Sequence, residues 1–156
     1  NFAESEEDLD IIRDELAAYG YLKAKGGRKK NKMQKKSRPL HYVDANGFHI
    51  YVGKNNYQND ELTFRFASGN DWWFHAKGIP GSHVIVRSEN RELPDDTYET
   101  AAAVAANGRD SEKVDVDYLQ KKNVKKPNSA VPGFVIYHTN YSMTIHPSLS
   151  GVRPAD

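Results

Sequence analysis

Apolar and polar positions alternate with period two over Phe48-His49-Ile50-Tyr51-Val52, the pattern of a strand with one buried face. His41-Tyr42-Val43 precedes it, across Asp44-Ala45-Asn46-Gly47. Asn-Gly supplies the positive φ values of a tight turn, so the two runs predict a hairpin. Asp71-Trp72-Trp73-Phe74-His75-Ala76 suits a strand covered on both faces. His83-Val84-Ile85-Val86-Arg87 predicts the next strand, reached through Ile79-Pro80-Gly81-Ser82, where Pro and Gly stand at the positions of a type II turn. Val114 to Tyr118 alternates as a further strand, and Phe134–His138 with Ser142–His146 predicts a closing hairpin across Thr139-Asn140-Tyr141.

Helical signals are fewer. Asp60 suits an N-cap and favours a short helix over the following residues, although the alternation of Leu62, Phe64 and Phe66 would equally suit a strand. Tyr98 to Ala106 reads as a helix whose alanines let it lie close against a sheet, closed by Asn107-Gly108. Near the start, Ser5-Glu6-Glu7-Asp8 opens a helix of capping-box type in which Leu9, Ile12, Leu16 and Tyr19 recur at heptad-like spacing before Gly20. Such a stripe fits either a face packed on the domain or the end of a longer coiled coil. The elements predict an α+β fold: a mostly antiparallel β-sheet with one or two packed helices, preceded by the end of a coiled-coil helix. The expected divisions are a helical arm over 1–22, a basic flexible linker over 23–38, the domain proper over 39–150 and a tail over 151–156.

Composition narrows the classes. The 156 residues suffice for one domain with a core, and 38% hydrophobic with 28% charged residues is ordinary for a water-facing globular chain. There are no cysteines, which removes disulfides and thiol-rich metal sites. No apolar run is long enough to span a bilayer, and the opening residues are not a signal peptide. Lacking an initiator methionine, the chain is expected to be a piece of a longer one. The net charge of +1 conceals segregation. Acids crowd the first helix, whereas Lys23, Lys25, Arg28, Lys29, Lys30, Lys32, Lys35, Lys36 and Arg38 follow with no acid between them. Lys121, Lys122, Lys125 and Lys126 form a second basic cluster. Such clusters can neutralise phosphates, with an affinity that falls steeply as salt rises.

Candidate chemistry gathers between Gly47 and Arg87. Glycine in Gly53-Lys54-Asn55-Asn56 lets a backbone approach a ligand, Lys54 can meet a phosphate, and the paired amides offer donors and acceptors or serve the loop alone. Of Trp72 and Trp73, one is expected in the core and the other as a platform on which a base stacks. Asp71, His75, Ser82 and His83 invite a hydrolase reading, which is rejected because no nucleophile-elbow pattern surrounds Ser82. A metal at His75 and His83 is rejected as well, for want of cysteine partners and zinc-type spacing.

The ordered set Gly47, Val52-Gly53-Lys54-Asn55-Asn56, Asn59-Asp60, Asp71-Trp72-Trp73-Phe74-His75-Ala76, Pro80-Gly81-Ser82-His83-Val84, Val124-Lys125-Lys126-Pro127 and Pro132-Gly133 resembles the NFACT-R domain of the NFACT proteins. That family includes the RqcH and FbpA/PavA "fibronectin-binding" proteins of bacteria and NEMF in eukaryotes. The resemblance covers nearly everything from Asp8 onward. It implies a non-catalytic, cytoplasmic RNA-binding domain, without cofactor or metal, of a protein that works on the large ribosomal subunit in ribosome-associated quality control. In that setting the whole protein would recruit alanine tRNA to add a C-terminal alanine tail to stalled nascent chains. The expected nucleic-acid contacts are Lys54, Asn55, Asn56, Asn59, Trp72, Trp73, His75, Pro80, Gly81, Ser82, His83, Lys121, Lys122, Lys125 and Lys126. The rival implication is an adhesin that binds fibronectin at the bacterial cell surface.

Overall fold

Asp44 shows how the chain begins to organise itself. In the computed structural model, which describes residues 37–78, 80–128 and 131–155, strand β1 (Leu40–Asp44) pairs antiparallel with β2 (His49–Val52). Gly47 takes φ +84°, and Asp44 Oδ1 accepts from the N–H groups of Asn46 and Phe48 at 3.0 and 2.8 Å. The second carboxylate oxygen accepts from Thr97 Oγ1 at 2.6 Å. One buried acid thus fixes both the predicted turn and the start of the long helix.

From β2 the chain enters helix α1 (Asn56–Glu61), which runs on into a π-helical turn over Leu62–Phe66 closed by an Ala67 N–H to Leu62 C=O bond of 2.9 Å. Then follow β3 (Trp72–Ala76), β4 (Val84–Val86), α2 (Asp95–Ala106), β5 (Val114–Gln120), a 3₁₀ turn over Lys121–Asn123, β6 (Tyr141–Ile145) and β7 (Val152–Pro154). All seven strands lie in one antiparallel sheet in the order β6-β5-β3-β4-β2-β1-β7. The fold is α+β, as the sequence patterns predict.

Both faces of the sheet are covered. On one, Ala101, Ala102 and Ala105 of α2 pack with Ile50, Phe74, Val84, Val86 and Val116. Small side chains let helix and sheet approach closely, so burial of the strand residues is complete. On the other, Trp73, Ile85 and Leu119 pack beneath Leu62 of the π turn and Val124, with Phe64, Val135 and Tyr137 around them. This second layer is built from a short helix and an irregular segment, and it carries the site described next.

Four expectations change. The helix after β2 begins earlier than an Asp60 cap implies: Asn55, extended at φ −156°, is the N-cap, and its side-chain oxygen accepts from Gln58 N–H at 2.9 Å. The expected hairpin between Phe134–His138 and Ser142–His146 does not form. Lys125 and Ile136 instead exchange backbone bonds of 2.9 and 2.8 Å, and β6 pairs with β5. Gly81 does not take the positive φ of a type II turn; Gly78 does, at +81°. The segment expected as a tail supplies β7, which covers the β1 edge. The expected helical arm over 1–22 lies outside the described residues, as does the linker except Ser37 and Arg38.

Candidate nucleic-acid interface

The loop leaving β2 is held by its own amides. Gly53 sits against Asn59 so closely that a Cβ there would lie 2.0 Å from Asn59 Oδ1. Asn59, 1% exposed, accepts from His83 N–H at 3.0 Å and donates through Nδ2 to the Gly81 carbonyl at 3.2 Å. One side chain therefore locks α1 to the Pro80–Ser82 corner. Asn55 is fully buried in its capping role. Asp60 accepts from Gly133 N–H at 3.1 Å and pairs with Lys126 Nζ at 2.9 Å. The polar run Asn55–Asp60 thus gathers three segments distant in sequence, and its buried amides shape a surface rather than form it.

That surface is a cleft of about 690 Å³ lined by the Pro80–Gly81 corner, Asn56 and the segment from Gly133 to Tyr137, with Gly133 close against Asn56. Trp73, His75 and His83 also line it. The Trp73 and His75 rings stack at 5.5 Å, and His75 meets His83 edge-on at 5.4 Å. His83 Nδ1 lies 2.8 Å from Thr63 Oγ1. Burial, reinforced by the Arg109 guanidinium, lowers the His75 pKa to about 4 against the opposing pull of Asp117. Burial and then the neighbouring His75 lower His83 to about 3. Both rings are neutral at pH 7, so they can exchange hydrogen bonds but offer no charge to a phosphate. Tyr137 donates its hydroxyl to Asp117 Oδ2 at 2.7 Å, and burial followed by that bond raises its pKa.

The loop lysines do not line this cleft, but Lys121 and Lys126 reach Phe64, which packs on the same face of the sheet. Lys121 and Lys122 stand at the β3 entry, where their N–H groups donate to the Asp71 and Gly69 carbonyls at 2.8 and 3.1 Å. Lys125 and Lys126 follow beside α1, and the Lys121 and Lys126 ammonium groups lie 5.9 and 5.6 Å from the Phe64 ring centre. Lys54 is not among the cleft's lining; it follows the end of β2, where Val52 faces Val84, and its N–H donates to Gln58 Oε1 at 2.9 Å. Half-buried Ser82 belongs to the Pro80–Gly81 corner. Among the described residues no group of three or more His, Cys, Asp or Glu could hold a metal ion.

One tryptophan is in the core, as expected, and the other is not a free platform. Trp73 is fully buried as the floor of the second layer. Trp72 points to the opposite face, half-buried against Tyr98 at 4.9 Å and Tyr118 at 6.1 Å. Neither is a free platform, because neighbouring strand residues alternate between faces that are both covered. The exposed aromatic at the cleft is Phe134, at 58%. Sequence reasoning missed it, along with Tyr137 and Arg109, whose guanidinium donates to the Pro80 carbonyl at 2.7 Å. An apolar run that reads as a strand gave no sign that Phe134 would face solvent. Asp71 takes the structural role of accepting from Ser68 and Ser88 N–H groups, each at 2.8 Å, while pairing with Arg87.

Comparison with known proteins agrees with this geometry. Residues 38–138 match the family model described as NFACT protein RNA binding domain. The chain is 42% identical over 156 residues to the Rqc2 homolog RqcH of Bacillus subtilis, covering 95% of this chain and 26% of that protein. It is 41% identical over 150 residues to the Rqc2 homolog RqcH of Streptococcus suis, covering 94% and 26%. The chain thus spans about a quarter of the length of these relatives. A solved structure, the C-terminal of the fibronectin/fibrinogen-binding protein from Streptococcus suis, superposes with a TM-score of 0.79 at 40% identity, covering 94% of this chain and 59% of that one. The chain belongs to the NFACT family, and residues 38–138 are its RNA binding domain in the family's own description.

Proposed function

We propose that this domain is a non-catalytic RNA-binding module of an RqcH-like protein. The carrying observation is that an open cleft lined by Trp73, Phe134, Tyr137 and the uncharged His75 and His83 lies on the sheet face where Lys121 and Lys126 gather near the Phe64 ring. Lysines on that face position a phosphate backbone, while a cleft of that character accepts an unpaired base. In this reading Lys54 and the four loop lysines meet phosphates. Asn56, His75, Pro80, Gly81, Ser82 and His83 shape or touch the base-facing wall. Asn55 and Asn59 hold the loop, and Trp73 holds the floor.

The RNA is taken to be that of the large ribosomal subunit, with tRNA as a second ligand. The whole protein is taken to support C-terminal alanine tailing of stalled nascent chains with alanine tRNA, in the cytoplasm. Among the described residues no helix is long and apolar enough to cross a membrane. A second reading, binding of fibronectin, is favoured by one observation: the solved relative in Streptococcus suis is described as a fibronectin/fibrinogen-binding protein.

Titrating the chain with a structured ribosomal RNA fragment and with fibronectin in the same low-salt and physiological buffers separates the two. The RNA reading expects saturable RNA binding that weakens steeply with salt and no saturable fibronectin binding. Tight fibronectin binding, with RNA unbound even at low salt, would establish the adhesin instead.

A further inference from the structure

The other flank of α1 carries a second opening. Between α1 with its π turn and the β1–β2 hairpin runs a groove of about 900 Å³. One wall is a series of rings. His41 stacks on Tyr51 with centroids 4.1 Å apart and planes 14° apart, and Phe66 meets Tyr51 edge-on at 4.7 Å. Phe66 is 37% exposed. Arg38 and Arg65, both exposed, stand on its rim, and Glu61 is the only acid among the described residues that line it.

The Ser37 carbonyl accepts from Gln58 Nε2 at 3.0 Å, which anchors the chain at the edge of the groove. Arg38 and Arg65 thus stand beside a ring cluster whose most exposed member is Phe66, one face of which is covered by the Arg87 guanidinium at 4.4 Å. An apolar peptide would match the rings but not the cations. A polyanion with unpaired bases matches both, since bases stack on aromatic side chains while the backbone follows positive charge.

We propose that this groove is a second RNA contact, holding one or two unpaired nucleotides with a base against Tyr51 and Phe66 and the adjoining phosphates on Arg38 and Arg65. It rests on the reading that the chain binds RNA, and it lies across α1 from the lysine loop. A bound strand would straddle the helix.

The test uses the whole 156-residue chain and an RNA hairpin whose unpaired loop carries 5-iodouridine, cross-linked by light and mapped by mass spectrometry. Cross-links to Tyr51 or Phe66 are expected. Phe66→Ala should weaken hairpin binding about 5-fold or more, the lower end of the loss of one stacked base, with little effect on a fully paired duplex. Arg38→Gln with Arg65→Gln should reduce the slope of log affinity against log salt by about 1.4, two single-strand phosphate contacts. Cross-links confined to the lysine loop and the Trp73 cleft, with that slope unchanged, overturn the proposal. So do protein cross-links between the groove and residues 1–36 that persist when RNA saturates the chain. A wild-type chain that fails to bind the hairpin at low salt overturns the RNA-binding reading itself, whereas bound RNA with an unaltered slope overturns the groove alone.

Discussion

Gly53 and Asn59 are the residues on which the cleft depends most. Gly53→Ala drives a methyl group into Asn59 Oδ1, and relief requires Asn59 to leave the Gly81 carbonyl, the His83 N–H, or both. Orphaned buried groups of this kind cost roughly 1–3 kcal/mol each. We expect Gly53→Ala to destabilise the chain by about 2–4 kcal/mol, an overpacking clash plus lost hydrogen bonds, read as a lowered denaturant midpoint. A loss below about 1 kcal/mol would mean that the corner relaxes freely. The histidine pair yields a second prediction. His75 and His83 take a proton when folded only near pH 4 and 3, whereas an unfolded histidine does so at 6.5. Below pH 6.5 the unfolded chain therefore binds protons that the folded chain refuses, and stability falls as pH drops from 6.5 toward 4. Urea midpoints at pH 7 and pH 5 should show this, and His83→Gln should flatten the difference. An unchanged pH dependence in that variant would show that His83 is not buried neutral.

At the scale of elements, the second layer separates residues that build the site from residues that meet a ligand. Trp73→Ala should cost about 3–5 kcal/mol, as for other fully buried large aromatics. Phe134→Ala, at a side chain more than half exposed, should leave the denaturant midpoint nearly unchanged while weakening RNA binding several-fold. Equal effects on stability and binding at Phe134 would make it structural. The sequence announces the parts of the fold whose signals are local. The Asn46-Gly47 hairpin, the alternating strands and the alanine-rich α2 each carry a pattern set by their own neighbours in the chain. It does not announce partners fixed only in three dimensions. Asn55 caps α1, while Asp60, inside that helix, accepts from Gly133 N–H and pairs with Lys126, partners that its sequence neighbours do not reveal. Phe134–Tyr137 reads as a strand because its residues suit one, yet its expected partner β6 pairs with β5 and Ile136 bridges Lys125 instead. The ladder that Val152 to Pro154 adds to β1 is too short, and too close to the chain end, to stand out from a polar tail. The ordered Gly, Asn, Trp and Pro-Gly set was legible as a family pattern, even though the buried members of that set support the surface and Phe134 and Arg109 complete it.

For the molecule as a whole, the near-neutral net charge says little about partners, because the charge is arranged in patches. Lys121 and Lys126 gather near Phe64, with Lys126 paired to Asp60 of α1, and Arg38 and Arg65 border the groove lined by Tyr57, Gln58 and Glu61 of the same helix. Acids near the lysines are engaged locally: Asp60 by Lys126 and Gly133, and Asp71 by Arg87 and two backbone N–H groups. The central claim is that the loop lysines dock this domain on a phosphate backbone. It is tested most directly by the salt dependence of RNA affinity in the chain with all four loop lysines changed to glutamine. The account predicts weaker binding at every salt concentration, with the slope of log affinity against log salt reduced by roughly 3–4, at about 0.7–0.9 for each of four lost phosphate contacts. A slope equal to that of the unaltered chain would contradict it.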